Sequence, residues 1–179
     1  MKICKIRKVK TPSRGTSHSA GVDFFIPEFD SNFLTHLFEK NPDFEGNQIC
    51  SETVVDDEIV MPIRICLYAG QQILIPSGIK AKIPEGYALI AKNKSGVASK
   101  KGITKMAELI DEDYQGEIYF NLLNTSKQDI YIDENEKIIQ FILVPVKYND
   151  IEEVSSLEEL FSHETQRGEK GFGEGTGNR

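Results

Sequence analysis

Between residues 63 and 91, short strand-like runs alternate with turn residues, and that rhythm narrows the folds open to the chain more than any other feature. Ile63–Leu67, Gln72–Ile75, Gly78–Ile83 and Tyr87–Ala91 alternate or run apolar, as half-buried or fully buried strands do. Ala69-Gly70, Pro76-Ser77-Gly78 and Pro84-Glu85-Gly86 separate them. Proline fixes φ and removes a donor, and glycine reaches conformations that tight turns need, so each cluster ends a strand and redirects the chain. Further runs at Ile3–Val9, Glu117–Leu123, Gln128–Ile132 and Lys137–Val144 extend the series, the last apolar enough to be buried on both faces. Strands of this length at this spacing predict an all-β sandwich or barrel.

Helix signals are few. In Ser156-Leu157-Glu158-Glu159 a serine precedes a glutamate by three positions, the capping-box spacing, which predicts one or two helical turns. Over Ser31–Lys40, Leu34, Leu37 and Phe38 share a helical face, and Pro42 predicts its end. No internal repeat is visible. The 179 residues, 39% of them hydrophobic, suit one domain with a sizeable core: a body over residues 1–165 and a short C-terminal segment over 166–179. Cys4, Cys50 and Cys66 form no CxxC pair and leave an odd thiol, so neither a disulfide framework nor a zinc site is expected. No apolar run nears the length of a membrane span, and no basic-then-apolar signal segment opens the chain, which predicts a cytoplasmic protein without a membrane partner.

Charge is more informative mapped than summed. Residues 28–60 hold nine acids against Lys40, a local balance of −8, while the whole chain carries −7. The remainder is therefore nearly neutral, and the segment reads as a separate acidic elaboration. Conversely, Lys92, Lys94, Lys100, Lys101 and Lys105 fall within fourteen residues without one acid. Such a run is either a solvated basic face or one side of a polyphosphate site.

Five places concentrate chemistry. Ala20-Gly21-Val22-Asp23 offers a carboxylate that also suits a turn. Lys94-Ser95-Gly96 combines a cation, a hydroxyl and a bare backbone, a set that can hold phosphate. Asp111, at the end of the apolar pair Leu109-Ile110, is either part of a solvated acidic turn or a general base held against water. Gln140 interrupts the apolar run Ile138–Val144, and a buried amide must satisfy nearby backbone or reach a ligand. Last comes the glycine-rich end, Arg167-Gly168-Glu169-Lys170-Gly171-Phe172-Gly173-Glu174-Gly175-Thr176-Gly177. By composition it is a flexible tail, but its backbone N–H groups, its arginine and its aromatic ring together suit a lid over a nucleotide.

In their order along one chain, these segments resemble the five motifs of the trimeric dUTPases, the dUTP nucleotidohydrolases. Ala20–Asp23, Lys94–Ala98, Leu109–Glu117, Lys137–Gln140 and Arg167–Gly173 carry the resemblance, with support from Pro12–Gly15, Ile75–Ile79 and Ile83–Tyr87. It covers nearly the whole chain outside about 28–60. The resemblance implies a jelly-roll-like distorted β-barrel with one or two short helices and a mobile Gly-rich C-terminal arm, and a homotrimer whose active sites are shared between subunits. It implies Mg²⁺-dependent hydrolysis of dUTP to dUMP and pyrophosphate by attack of water on the α-phosphorus, with no direct nucleic-acid binding. For a phage or viral member the location would be the host cytoplasm.

Carried over residue by residue, Asp111 would activate the water. Tyr114 would pack on the deoxyribose, and the stretch from Ile103 to Ile110 would read uracil through its backbone, with Lys105, Leu109, Ile110 and Tyr119 around the base and sugar. Lys94, Ser95, Gly96 and Gln140 would hold phosphates, and Asp23 would bind waters of the metal's outer shell. From the tail, Arg167, Gly173, Gly175 and Thr176 would hold phosphates, and Phe172 would stack on uracil.

Four departures stand out. Lys94 occupies a position where the family usually has arginine, which keeps the charge and loses the bidentate fork. Glu108 stands where glycine is usual. Glu174 and one extra residue alter the tail, and the 28–60 connection is unusually long. That acidic insert motivates an alternative, a nucleotide-switched regulatory protein that docks a protein partner there. A dCTP deaminase, which shares the fold, is a further alternative, but the Asp111–Tyr114 turn and the Phe172 tail favour the diphosphohydrolase.

Overall fold

The computed structural model describes residues 1–50, 53–54, 59–60 and 63–171. Its contacts divide the chain into two units, Met1–Lys147 and Tyr148–Arg179. The first begins with β1 (Lys2–Lys5), β2 (Val22–Phe24), α1 (Ser31–Lys40), a 3-10 turn (Gly46–Gln48), β3 (Ile49–Cys50), β4 (Thr53–Val54) and β5 (Ile59–Val60). β6 (Arg64–Leu67), β7 (Gln72–Pro76), β8 (Ile79–Lys82), β9 (Tyr87–Asn93), α2 (Ser95–Lys101), β10 (Ile103–Lys105) and β11 (Leu109–Ile110) follow. β12 (Tyr119–Asn124), β13 (Ile130–Asp133) and β14 (Ile139–Pro145) complete it. Each strand-like run of the sequence is a strand, because turn residues and alternation point the same way.

The strands pair antiparallel into sheets of order β1-β8, β10-β12-β7, β11-β9-β14-β2, β13-β6-β3 and β4-β5. Phe24 and Phe141 of the four-stranded sheet meet Phe120 of the three-stranded one, with ring centroids 4.5 to 6.4 Å apart. This aromatic cluster binds the two sheets face to face. On β12, Phe120, Leu122 and Asn124 point inward. Asn124 is fully buried and donates to the carbonyls of Leu67, Tyr68 and Gln128 while accepting from Ser126. A buried amide so completely partnered knots three loops together.

An all-β, jelly-roll-like barrel is not what forms. Among the described residues the sheets are open, none closing on itself, and helices belong to the body, so the architecture is a mixed α/β one. Pairing among the described strands is divided over five separate sheets, so no continuous ladder runs round a barrel. The acidic segment is likewise not a separate elaboration over its described part. Asp30 caps α1 by accepting the Phe33 N–H at 2.8 Å, and Phe29, Phe33, Leu37 and Phe44 join the one core cluster. Leu34 and Phe38 pack against it half-buried. Gln48, 1% exposed, donates to the Cys66 carbonyl and to the Gln71 side chain. The segment's described acids, Glu28, Asp30, Glu39, Asp43 and Glu45, stay exposed while Phe29, Phe33 and Phe44 go in, which a summed charge hides. β14 also differs from expectation: Ile139 and Phe141 are buried, but Leu143 is 39% exposed, so burial on both faces does not extend along the strand.

In the second unit, α3 (Leu157–Leu160) starts where the serine signal placed it. Ser156 Oγ accepts from Glu159 N, and the Glu159 carboxylate accepts from the N–H of Ser155. Among the described residues no helix is long and apolar enough to cross a membrane.

Two outcomes test this account. Phe33→Ala should cost about 3 to 5 kcal/mol in denaturant unfolding, since it empties a fully buried site. Arg64 faces Asp133 in the β6–β13 register, with Nε–Oδ1 2.5 Å and Nη2–Oδ2 2.8 Å. This fork holds the Asp133 carboxyl below its ordinary range. A carboxyl depressed by folding contributes stability above its unfolded pKa and loses it as pH falls through the folded value. Arg64→Met should therefore unfold more easily than wild type at neutral pH, the difference closing below about pH 4.

Candidate active site

A cleft of about 300 Å³ opens between the four-stranded and three-stranded sheets. Ala91 and Phe141 of the first and Leu74, Tyr119 and Asn121 of the second form its apolar walls, and Glu108–Asp111 and Tyr114 form its rim. That volume matches a small ligand site. Asp111 ends β11 and opens a turn closed by the Tyr114 N–H on the Asp111 carbonyl, 3.2 Å. The turn leaves the Asp111 carboxylate exposed at the cleft.

Tyr114 is held by its hydroxyl, which donates to the Glu117 carbonyl at 2.9 Å. Its ring lies over Gly116, where a Cβ would stand 2.2 Å from the hydroxyl oxygen. Only glycine permits this approach. Glu117 is buried, and its carboxylate accepts from Arg7 Nε and Nη2, both 2.9 Å, and from Gly78 N at 2.7 Å. Tyr119, on the cleft wall, has its hydroxyl pushed above its ordinary pKa by burial and then by the Glu117 charge.

The polar residues gather on β2, β9 and β14, neighbours in one sheet. Gln140 stands opposite both Asp23 and Lys92. Its amide is half-buried, donates to the Asn93 carbonyl at 2.9 Å and packs on the bare backbone of Gly21, where a Cβ would meet its oxygen at 2.2 Å. Asp23, 6% exposed, accepts from Lys94 Nζ and lies 3.5 Å from Lys137 Nζ. Two cations around one carboxylate neutralise it locally and aim both ammonium groups along the sheet.

Lys94 is the N-cap of α2, and its side chain, turned to Asp23, makes no capping bond. Ser95 and Gly96 therefore form an exposed first turn, whose N–H groups have no partner within the helix. On the rim, Lys105 and Lys92 converge on Glu108, the latter at 3.3 Å, and hold its carboxyl below the usual range. Leu109 is 60% exposed and Ile110 half-buried.

Arg167 belongs to the second unit, where its Nε donates to the Lys170 carbonyl at 3.0 Å. Phe172, Gly173, Gly175 and Thr176, with Glu174, lie outside the described residues. Sequence patterns did not reveal Asn93, Arg7 or Glu117. Asn93 Oδ1 accepts the Lys105 N–H at 2.8 Å and Nδ2 donates to Thr104 at 2.9 Å, tying β9 to β10. A polar residue ending an apolar run was the available signal for Asn93. Nothing local announces a pair separated by 110 positions, as Arg7 and Glu117 are. Among the described residues no three His, Cys, Asp or Glu side chains could jointly hold a metal ion.

Comparison with known proteins bears on this geometry. The dUTPase family model matches residues 58–176. The match begins after Asp23, but β2 pairs with β14 and brings that carboxylate beside the matched part. A deoxyuridine 5'-triphosphate nucleotidohydrolase of Fusobacterium nucleatum is 40% identical over 111 residues, 61% of this chain and 73% of that protein. Its counterpart from Chlamydia pneumoniae is 41% identical over 111 residues, 61% of this chain and 74% of that protein. Among solved structures, a mutant dUTPase of Staphylococcus bacteriophage 80alpha with dUpNHpp superposes with a TM-score of 0.68 and 20% identity, covering 97% of this chain and 96% of that one. A dUTPase from phage phi11 of S. aureus gives 0.64 at 18% identity, covering 88% and 97%. At those identities the structures speak for the fold, and the sequence matches speak for descent. The chain belongs to the dUTPase family.

Proposed function

We propose that this chain hydrolyses dUTP to dUMP and pyrophosphate, keeping uracil out of DNA and supplying dUMP for dTMP synthesis. One observation carries the reading: a cleft sized for a base and sugar has an exposed carboxylate, Asp111, at its rim, while the adjoining sheet presents Lys94, Lys137 and Gln140 around Asp23. Apolar enclosure beside paired cations suits a nucleoside attached to a polyphosphate.

In this reading Asp111 orients a water and takes its proton as the water's oxygen attacks the α-phosphorus, base and geometry being supplied by one group. The Tyr114 ring, fixed from behind by Glu117, packs on the deoxyribose and leaves no space for a 2′-hydroxyl. Backbone groups between Ile103 and Ile110 read uracil, with Lys105, Leu109, Ile110 and Tyr119 around it. Cytosine would leave those groups unpaired in a dry site. Lys94, Ser95, Gly96 and Gln140 hold phosphates, joined by Arg167, Gly173, Gly175 and Thr176, and Phe172 stacks on the base.

The donor set does not fit a protein cage for Mg²⁺, and it fits the lesser role of Asp23 as an acceptor for metal-bound water. Carried on the triphosphate, Mg²⁺ would supply charge neutralisation to the phosphate oxygens. The open, apolar rim at Leu109 and Met106 supports a homotrimer with shared sites, since such surface suits cover by another chain. Any protein partner of the acidic segment would meet the exposed Glu28, Asp30, Glu39, Asp43 and Glu45.

The decisive assay is pyrophosphate release with Mg²⁺ from dUTP, dCTP, dTTP and UTP. Strong preference for dUTP supports the reading, and release from none of them sinks it. Asp111→Asn should cut turnover by about 10² to 10⁴ while leaving nucleotide binding largely intact; near-normal turnover would remove Asp111 from the mechanism. Gly116→Ala should push the Tyr114 ring off its seat and cost about 1 to 3 kcal/mol of stability. Its ratio of dUTP to UTP turnover should fall as well, and an unchanged ratio would mean that Tyr114 does not read the sugar.

A further inference from the structure

α1 lies before the stretch matched by the family model, yet residues at both of its ends bond to groups that support the cleft. β7 is the edge of its sheet, with β12 on one side and, among the described residues, no strand on the other. There the Asn41 carboxamide does what a neighbouring strand would. Its Oδ1 accepts the Leu74 N–H at 2.7 Å and its Nδ2 donates to the Leu74 carbonyl at 2.9 Å. The second Nδ2 hydrogen goes to Leu37 at 2.7 Å, on the last turn of α1. Leu74 lines the cleft and stands opposite Asn121, which lines it too. One residue earlier, Lys40 Nζ lies 5.9 Å from the centre of the Tyr119 ring, on the same wall.

At the other end of α1, Asn32 Oδ1 accepts from Arg7 Nη1. Arg7 in turn grips Glu117, with side chains 5% and 7% exposed, and the Glu117 carbonyl holds the Tyr114 hydroxyl. Phe33 and Leu37 fix the middle of the helix in the core. The helix is thus held along its length, and contacts at its ends reach Leu74 of the cleft's wall and the Arg7–Glu117 pair behind its tyrosine.

We propose that α1 is a positioning element of the nucleoside cleft, with Asn41 as its positioning residue: the clamp on the open edge of β7 sets where Leu74 and, through the strand register, Asn121 and Tyr119 stand. The proposal rests on reading the cleft as the nucleoside site of dUTP hydrolysis. An edge strand without this clamp would pair its Leu74 groups with water and shift. Small displacements of a wall weaken the grip on a base and leave the chemistry at the Asp111 carboxylate alone.

The test compares full-length wild type, Asn41→Ala and Lys40→Ala. It measures pyrophosphate release from dUTP and calorimetric binding of a non-hydrolysable imido analogue of dUTP. In Asn41→Ala the KM for dUTP should rise about five- to tenfold, and the analogue's Kd with it, as expected for one lost hydrogen-bonded clamp. The kcat should stay within about threefold. A lower thermal midpoint with KM and Kd unchanged would overturn the proposal, because the amide would then serve the fold only. Lys40 is exposed, so Lys40→Ala decides the matter should Asn41→Ala not fold. A KM raised about two- to threefold supports the proposal, and no change overturns it. Wild-type protein that releases no pyrophosphate from dUTP defeats the functional reading itself, a result distinct from any difference between variants.

Discussion

The buried pair of Arg7 and Glu117 is the contact on which the rest of the site depends. Glu117 joins the 111–116 turn to β12, and its carboxylate takes two bonds from Arg7 and one from the Gly78 backbone. Arg7 follows β1 by two residues, and Gly78 sits between β7 and β8. One ion pair therefore ties the amino-terminal strand, the β7–β8 turn and the tyrosine-bearing turn into a single block. Removing either partner would strand the other charge away from water, which typically costs 3 to 5 kcal/mol. Fork geometry makes lysine a poor replacement for the arginine. The burden is positional as well as energetic, because the Glu117 carbonyl seats the Tyr114 hydroxyl.

Strands were legible in the sequence wherever alternation was bounded by proline or glycine, as at 72–76 and 79–82, because a period of two leaves little choice of face. Helices were legible from an apolar face or from a cap oxygen. The face of Leu34, Leu37 and Phe38 marked α1, although Phe33 is the residue fully buried beside Leu37, and Ser156 marked α3. α2 offers neither: Lys94 has no cap oxygen, and the following Ser95-Gly96 reads as a loop by propensity. Its helical turns are secured by what packs around them, a tertiary fact. The barrel expectation failed for a related reason, since strand count and length are legible locally and closure is not.

Site residues divide along the same line. Asp111 and Gln140 end or interrupt apolar runs and stood out for that reason, whereas Tyr114 was singled out by the motif resemblance alone. Asn93 and Asn41 work by facing backbone groups of distant strands, and the partner of each is chosen by topology. The charge sum over residues 28–60 hid α1, which carries only Glu39 of the nine acids and puts its apolar face in the core. Amphipathic elements conceal their inner face from any average over composition.

Electrostatic balance sets the last constraint on how the site can take a polyanion. Four lysines near the cleft already have a carboxylate partner: Lys94 and Lys137 share Asp23, and Lys92 and Lys105 share Glu108. Unpartnered, four ammonium groups so close would repel one another and strain the sheet that presents them. Paired, they are held in place at little cost, and on the function proposed above an arriving triphosphate would exchange one anionic partner of Lys94 for another. Binding strength then depends on how far each lysine must turn from its carboxylate. The single-point charge of Lys94, where the family resemblance leads one to expect a forked arginine, fits a residue that also neutralises Asp23. The carboxylates thus set the resting positions of the cations, and on the proposed function a substrate phosphate would have to compete with those partners.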